Sequence, residues 1–173
     1  GLTGGPRRRQ LWIWAAYTSQ AKTMCAKQFT YANVMRGRRG LFVSLEEDRE
    51  DIEYALYARH SHVYGKPLVI EEIRNGKLAA DRVEVLHKVV KDLEAVDLTI
   101  WIPGRVTIGD IQRRVSALQM VKPLDFVVID YLQLVDPETW KRDAHEAMAE
   151  IMRDCKRLAR QEDIPVLALH QMS

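Results

Sequence analysis

A lysine–threonine pair, Lys22-Thr23, stands where an apolar run gives way to a stretch without Gly or Pro that predicts a helix. Phosphate-binding loops place a lysine and a hydroxyl at such a point, because the lysine reaches the β- and γ-phosphates and the hydroxyl coordinates Mg²⁺. The nucleotide-binding residues that this pattern predicts are Thr18, Ser19, Gln20, Ala21, Lys22 and Thr23. Alanines replace both glycines of the usual loop pattern, so an ordinary turn with a surface lysine is the alternative.

Two carboxylates and one amide follow other apolar runs. Glu46 comes after the run 40–44, and a carboxylate there can orient and deprotonate water if it lies beside a γ-phosphate. Asp130 ends a Phe-Val-Val-Ile run, where a carboxylate can hold Mg²⁺. Gln171 follows the run 164–169 and could contact a γ-phosphate. The simpler interpretations are an acidic helix N-terminus, a turn cap and a polar loop, respectively.

Weaker signals come from one aromatic–basic cluster and one histidine pair. Trp140 precedes Lys141 and Arg142, and this combination could stack a nucleic-acid base and hold a phosphate, which makes Lys141 and Arg142 candidate DNA-binding residues. A solvated loop is the simpler interpretation. His60 and His62 have no Cys or carboxylate at metal-ligand spacing, so we expect both in a solvated loop.

The elements that must position these residues alternate along the chain. Apolar runs predict strands at 11–16, 40–44, 98–102, 125–130 and 164–169, and the first is expected to be buried on both faces. Helices are predicted at 21–35, 48–59, 81–93, 107–121 and 143–161. This alternation predicts an α/β fold, with a mainly parallel sheet and helices on both faces. Ligands of such sheets bind at the carboxyl ends of the strands, where the candidate residues stand.

The composition excludes several classes of protein. The chain has 173 residues, of which 47% are hydrophobic and 29% charged, and this balance argues against disorder. A formal net charge of +2 excludes a strongly basic tail protein but allows a locally basic groove. Two cysteines, Cys25 and Cys155, cannot form a disulfide framework. Both lie in predicted helices, and we expect their side chains to pack in the core. The apolar runs are too short to span a bilayer.

Segments 2–5, 15–16, 22–23, 44–46, 129–134 and 168–173 follow one another in a recognisable order. Together they resemble the RecA-like ATPase domain of DnaB-type replicative helicases. The most specific segment is Asp130-Tyr-Leu-Gln-Leu134, since a generic Mg²⁺-binding strand does not need Tyr-Leu-Gln-Leu after its Asp. The resemblance implies one partial RecA-like P-loop NTPase domain over residues 1–173. It also implies a ring-forming domain before this segment, and strands with an arginine finger after it.

The resemblance implies a role for each candidate. Lys22 would bind the β- and γ-phosphates of ATP, and Thr23 and Asp130 would hold Mg²⁺. Glu46 would activate the attacking water, and Gln171 would sense the γ-phosphate. The implied function is an ATP-dependent helicase that translocates on single-stranded DNA as a hexameric ring during replication. Primase or a helicase loader would be further partners, no membrane would be involved, and the location would be the cytoplasm of a bacterial or phage-infected cell.

One departure from the family pattern keeps a second hypothesis open. Ala21 stands where the family has glycine, and an alanine forced to positive φ would cost about 1 kcal/mol or more. The alternative is therefore a nucleotide-binding scaffold or regulator of the RecA/KaiC superfamily with impaired hydrolysis. His170 stands where serine is common, which we expect to be a tolerated polar change. An α/β domain without a nucleotide would require the candidates to share strand ends by coincidence.

Overall fold

The computed structural model describes residues 6–17, 22–139 and 143–172, and it confirms the predicted alternation of strands and helices. The strands are β1 (Leu11–Tyr17), β2 (Gly40–Ser44), β3 (Leu98–Trp101), β4 (Phe126–Asp130) and β5 (Val166–Met172). The helices are α1 (Lys22–Val34), α2 (Arg49–Ser61), α3 (Ile70–Arg74), α4 (Ala80–Glu94), α5 (Ile108–Val121) and α6 (Ala144–Gln161). Among these residues, no helix is both long and apolar enough to cross a membrane.

The strands form one sheet in the order β1-β5-β4-β2-β3, and all neighbouring strands pair in parallel. The register aligns their carboxyl ends: Ser44 of β2 lies beside Asp130 of β4, and Ala16 of β1 lies beside Gln171 of β5. The residues that follow these strands therefore gather at one edge of the sheet, which we call the carboxyl edge.

Helices cover both faces of the sheet, as predicted. On one face, α5 and α6 bury apolar side chains against β2, β4 and β5; these include Ile111, Val115, Cys155, Leu158, Val127, Ile129 and Ala168. On the other face, α1 and α2 pack against the alternate residues of the same strands; these include Ala26, Ile52, Leu56, Phe42, Val128 and Leu169. Because successive strand residues point to opposite faces, one continuous apolar run supplies both cores.

The start of one helix and the start of one strand depend on particular residues. The α5 N-terminus has a capping box formed by Thr107 and Asp110, in which each side chain accepts a hydrogen bond from the other residue's backbone N–H. β2 begins with Gly40, and a Cβ atom there would lie 2.2 Å from the ring of Phe126. A glycine is therefore required for β2 to approach β4 at this point.

Two predictions about β1 and β5 were wrong. β1 is an edge strand and is not buried on both faces, since Ile13 is 38% and Tyr17 56% exposed. An apolar run cannot reveal this, because the burial of a strand's two faces depends on which helices pack against them. β5 extends to Met172, so His170 and Gln171 belong to the strand and do not begin a loop.

The prediction for the cysteines was half right. Cys155 is fully buried in α6, and burial raises the pKa of its thiol to about 12. Cys25 is exposed on α1, because the face of that helix which packs on the sheet is formed by other residues, such as Ala26. The connector between α2 and α4 contains the short helix α3.

His60 is buried in the last turn of α2, which contradicts the solvated loop predicted for it. It is 3% exposed, its Nδ1 lies 2.9 Å from the hydroxyl of Tyr31, and its Nε2 lies 3.0 Å from a carboxylate oxygen of Asp92. The hydroxyl of Tyr64 donates to the same oxygen, and the hydrogen bonds from Tyr64 and His60 lower the pKa of Asp92. These contacts join α1, α2 and α4, whereas His62 is exposed as predicted.

We expect His60→Leu to lower the free energy of unfolding by about 1–2 kcal/mol, since it leaves the partly buried Tyr31 hydroxyl without its ring-nitrogen partner. Urea unfolding at pH 7.5 measures the change. The matched control is His87→Leu, because His87 is exposed on α4. Equal effects of the two substitutions would contradict a structural role for the His60 contacts.

Candidate functional site

Lys22 is the first residue of α1 and lies at the carboxyl edge. Its ammonium group is 3.4 Å from the carbonyl oxygen of Ala16 and 5.7 Å from the ring centroid of Tyr131. The lysine therefore contacts the end of β1 and the segment that follows β4. The other predicted loop residues lie outside the described part of the chain, so their role in nucleotide binding stays a prediction; they are Thr18, Ser19, Gln20 and Ala21.

Asp130, the last residue of β4, carries a buried carboxylate at the same edge. It is 1% exposed, and within the described residues neither of its oxygens has a hydrogen-bond partner in normal geometry. Burial raises the pKa of Asp130 from 3.8 to about 6, and the nearby Thr23 hydroxyl opposes that rise. The charges of Glu47 and Glu46 raise the pKa further. A buried carboxylate of this kind costs free energy until a cation or a donor satisfies it.

Thr23 and Asp130 match the chemistry of a Mg²⁺ site. Mg²⁺ prefers hard oxygen ligands, and proteins usually bind it through one or two carboxylates together with phosphate oxygens and water. A hydroxyl and an unsatisfied buried carboxylate provide such ligands. In the part of the chain that the structure describes, no three His, Cys, Asp or Glu side chains form a metal site by themselves. A metal ion here would therefore depend on phosphate oxygens and water for its remaining ligands.

The turn between β2 and α2 carries two glutamates with different surroundings. Glu46 is exposed, and its charge raises the pKa of both Asp130 and Tyr131. Glu47 forms an ion pair with Lys27 of α1, in which Nζ is 2.5 Å from Oε2 and the lysine side chain is 7% exposed. Glu46 is therefore accessible to a water molecule and a phosphate, whereas Glu47 is held against α1.

Sequence reasoning missed Lys27 and its pairing with Glu47. A signal was available, because Lys27 comes one helical turn after Thr23 and must lie on the same face of α1. Its Nζ also donates to the carbonyl oxygen of Asp51 at 3.3 Å, so Lys27 links α1 to the first turn of α2. The positive charge of Lys27 lowers the pKa of Asp130, against the larger effect of burial.

Gln171 reaches the carboxyl edge from β5, beside Ala16 of β1. The preceding residue, His170, has its pKa lowered first by burial and second by the charge of Lys22, so its ring lies near that lysine. Gln133, another residue that sequence reasoning passed over, forms hydrogen bonds with the backbone of Gln171. The structure thus brings the five central candidates to one edge, as predicted; they are Lys22, Thr23, Glu46, Asp130 and Gln171.

The candidate DNA-binding residues Lys141 and Arg142 lie outside the described residues. The segment before them is held against the start of α5. Arg105 forms two hydrogen bonds with the carboxylate of Asp136, at 2.9 and 3.0 Å. Glu138 accepts a hydrogen bond of 2.7 Å from the backbone N–H of Gly109.

Known proteins resemble this chain along nearly its whole length. A probable replicative DNA helicase from Trieres chinensis is 30% identical over 175 residues, which cover 99% of this chain and 37% of that protein. The replicative DNA helicase DnaB of Geobacillus stearothermophilus is 26% identical over 174 residues, again covering 99% of this chain and 37% of the relative. The chain therefore spans a little over a third of the length of these curated relatives.

Solved structures confirm the RecA-like fold. The ATPase domain of G40P superposes with a TM-score of 0.90 at 23% identity, covering 99% of this chain and 60% of that one. A DnaB-like replicative helicase, solved in a study of its interactions with primase, gives a TM-score of 0.89 at 22% identity, covering 98% of this chain and 40% of that one. At this level of identity the similarity concerns the fold.

The family model of the DnaB-like helicase C-terminal domain matches residues 1–173. Because this match extends over the entire sequence and agrees with the motifs at the carboxyl edge, the chain belongs to the DnaB-like helicase C-terminal domain family.

Proposed function

We propose that this chain is the ATPase domain of a replicative DNA helicase, and that it binds and hydrolyses ATP at the carboxyl edge of its sheet. The observation that carries the proposal is the buried, unsatisfied carboxylate of Asp130 beside Thr23, with Lys22 and Glu46 at the same edge. A structural aspartate would normally have hydrogen-bond partners when buried. Among the described residues, Asp130 has the Thr23 hydroxyl nearby but no hydrogen bond in normal geometry, which suits a carboxylate that binds a cation.

Each residue has a distinct task in the proposed reaction. Lys22 binds the β- and γ-phosphates, and Thr23 and Asp130 hold the Mg²⁺ that accompanies ATP. Mg²⁺, when bound, neutralises charge that develops on the phosphate oxygens. Glu46 accepts a proton from a water molecule, whose oxygen bonds to the γ-phosphorus while the bond from that phosphorus to the β–γ bridging oxygen breaks. ADP and phosphate are the products.

The remaining parts of the proposal concern the whole protein. Gln171 contacts the γ-phosphate and relays its presence to segments that touch single-stranded DNA, among them Lys141 and Arg142. Residues 1–173 form one partial domain of a subunit, and six subunits form a ring. Primase or a loader is a further partner, in the cytoplasm of a bacterial or phage-infected cell. The order of the motifs in the sequence supports these assignments, and a structural neighbour that was studied with primase supports primase as a partner.

The second candidate is a scaffold that binds ATP but hydrolyses it poorly, and Ala21 is the residue that favours it. Glu46 favours the helicase, because a scaffold needs no side chain to activate water. The two candidates differ in whether single-stranded DNA stimulates hydrolysis, so that stimulation is the property to measure.

In the full-length protein that carries this chain, we expect single-stranded DNA to stimulate ATP hydrolysis and Glu46→Gln to lower the stimulated rate about a hundredfold. Nucleotide affinity should change little, because the amide preserves the size of the side chain. Glu50→Gln is the matched control, since Glu50 is exposed in the first turn of α2. ATP binding without stimulation would favour the scaffold, and failure to bind ATP would exclude both candidates.

A further inference from the structure

β5 extends beyond the strand beside it. β4 pairs with β5 only as far as Ile129 and Ala168, after which the chain leaves β4 and forms a 3₁₀ turn at Leu132–Leu134. On its other side, β5 stays paired with β1 as far as Met172. At Gln171, therefore, no strand of the described residues lies next to the edge of β5 that faces β4.

The side-chain amide of Gln133 occupies this edge. Its Nε2 donates to the carbonyl oxygen of Gln171 at 2.5 Å, and its Oε1 accepts from the backbone N–H of Gln171 at 3.2 Å. A carboxamide carries a donor and an acceptor in one plane, as a peptide group does, so it can pair with one residue as a neighbouring strand would. The amide of Gln133 thus replaces the strand that is missing beside Gln171.

We propose that Gln133 is a positioning residue for Gln171. It holds the backbone of Gln171 in the extended conformation of β5. The Cα of Gln171 is thereby fixed, and its side chain can extend toward the γ-phosphate. This inference rests on the proposed function, because it assumes that Gln171 contacts the nucleotide.

The same contact connects two parts of the proposed site. Gln133 lies in the 3₁₀ turn that follows Asp130, so it ties the strand carrying the Mg²⁺ ligand to the strand carrying Gln171. It also gives a physical role to the glutamine of the Tyr-Leu-Gln-Leu segment, which Mg²⁺ binding alone leaves unexplained. Because Gln133 is exposed, water competes for its hydrogen bonds, and their contribution to global stability is small.

The test is the preference of the chain for a triphosphate over a diphosphate. Calorimetry gives the dissociation constants of Mg·ADP and Mg·ATPγS. The ratio of the Mg·ADP constant to the Mg·ATPγS constant measures the contribution of γ-phosphate contacts. Removing a hydrogen bond to a charged phosphate should lower this ratio about tenfold in Gln171→Ala. We expect Gln133→Leu to cause most of the same decrease in the ratio while the midpoint of urea unfolding stays unchanged. Gln133→Glu should also lower the ratio, because a carboxylate cannot donate to the carbonyl oxygen of Gln171.

The matched control is Gln112→Leu. Gln112 also forms two hydrogen bonds through its side chain, in which it donates to Gln161 and Glu162, but it lies on α5 away from the carboxyl edge. If Gln133→Leu keeps the ratio while Gln171→Ala loses it, or if Gln112→Leu lowers it equally, the positioning role is wrong. If the parent binds neither nucleotide, the proposed function fails instead, and the two failures are thereby distinguished.

Discussion

Asp130→Asn is expected to stabilise the nucleotide-free chain by about 2 kcal/mol at pH 8 while abolishing its response to Mg·ATP. In the folded chain, burial raises the pKa of Asp130 from 3.8 to about 6, so the ionised carboxylate is less stable there than in the unfolded chain. At 1.36 kcal/mol for each pKa unit, this difference costs about 3 kcal/mol once both states are ionised. Asparagine removes the charge but keeps a buried polar group, so part of the cost remains.

The sign of the pH dependence follows from which state holds the proton more tightly. The folded chain holds the proton of Asp130 more tightly than the unfolded chain. Below pH 3.8 the carboxyl group is protonated in both states, so it does not lower the free energy of unfolding there. Stability falls as the pH rises from 3.8 to about 6, and the full cost persists above that range. The advantage of Asp130→Asn should therefore be close to zero at pH 4 and fully developed at pH 8.

Urea unfolding of both proteins at pH 4 and pH 8 measures this advantage, and thermal unfolding with and without Mg·ATP measures the lost response. Asp48→Asn is the control, because Asp48 is exposed and its side chain makes no capping hydrogen bond to α2. The control should leave stability nearly unchanged. A variant at Asp130 that is less stable than the parent at pH 8 would show that the carboxylate has a structural partner.

The framework of the site was predictable because it depends on local patterns. Apolar runs and helical periodicity located the strands and the long helices, and parallel sheets expose the carboxyl ends of their strands at one edge. These patterns are sufficient to predict that Lys22, Glu46 and Asp130 lie at the same edge. The predicted bounds of β2 match the observed ones at both ends, and both β2 and β4 are buried at every residue.

Contacts between distant segments were not predictable in the same way. His60 was assigned to solvent because no carboxylate stands near it in the sequence, yet Asp92 reaches it from α4. The Gln133–Gln171 pairing joins one residue before α6 in the sequence with one residue after it. It is possible because β4 stops pairing with β5 at Ala168, before β5 reaches Gln171. Such contacts depend on how the elements pack, and a single sequence does not record that packing.

Removing one partner of the ion pair between Lys27 and Glu47 should lower the free energy of unfolding more than the His60→Leu substitution does. We expect Lys27→Met or Glu47→Met alone to lower the free energy of unfolding by about 3 kcal/mol, since each leaves the partner charge mostly buried and unpaired. Lys27→Met should also raise the pKa of Asp130 above about 6, because the lysine charge lowers it. The double variant, with two apolar side chains of similar volume, should recover most of the stability.

A double-mutant cycle in urea at pH 7.5 measures the coupling of the pair, which we expect to exceed about 2 kcal/mol. Lys66→Met with Asp81→Asn is the control cycle, because that ion pair is 2.9 Å long but more than half exposed on both sides. It should give less than about 1 kcal/mol, as exposed pairs do. Additive losses at Lys27 and Glu47 would contradict the argument. Strong coupling would show that this ion pair stabilises the contact between α1 and the turn that carries Glu46.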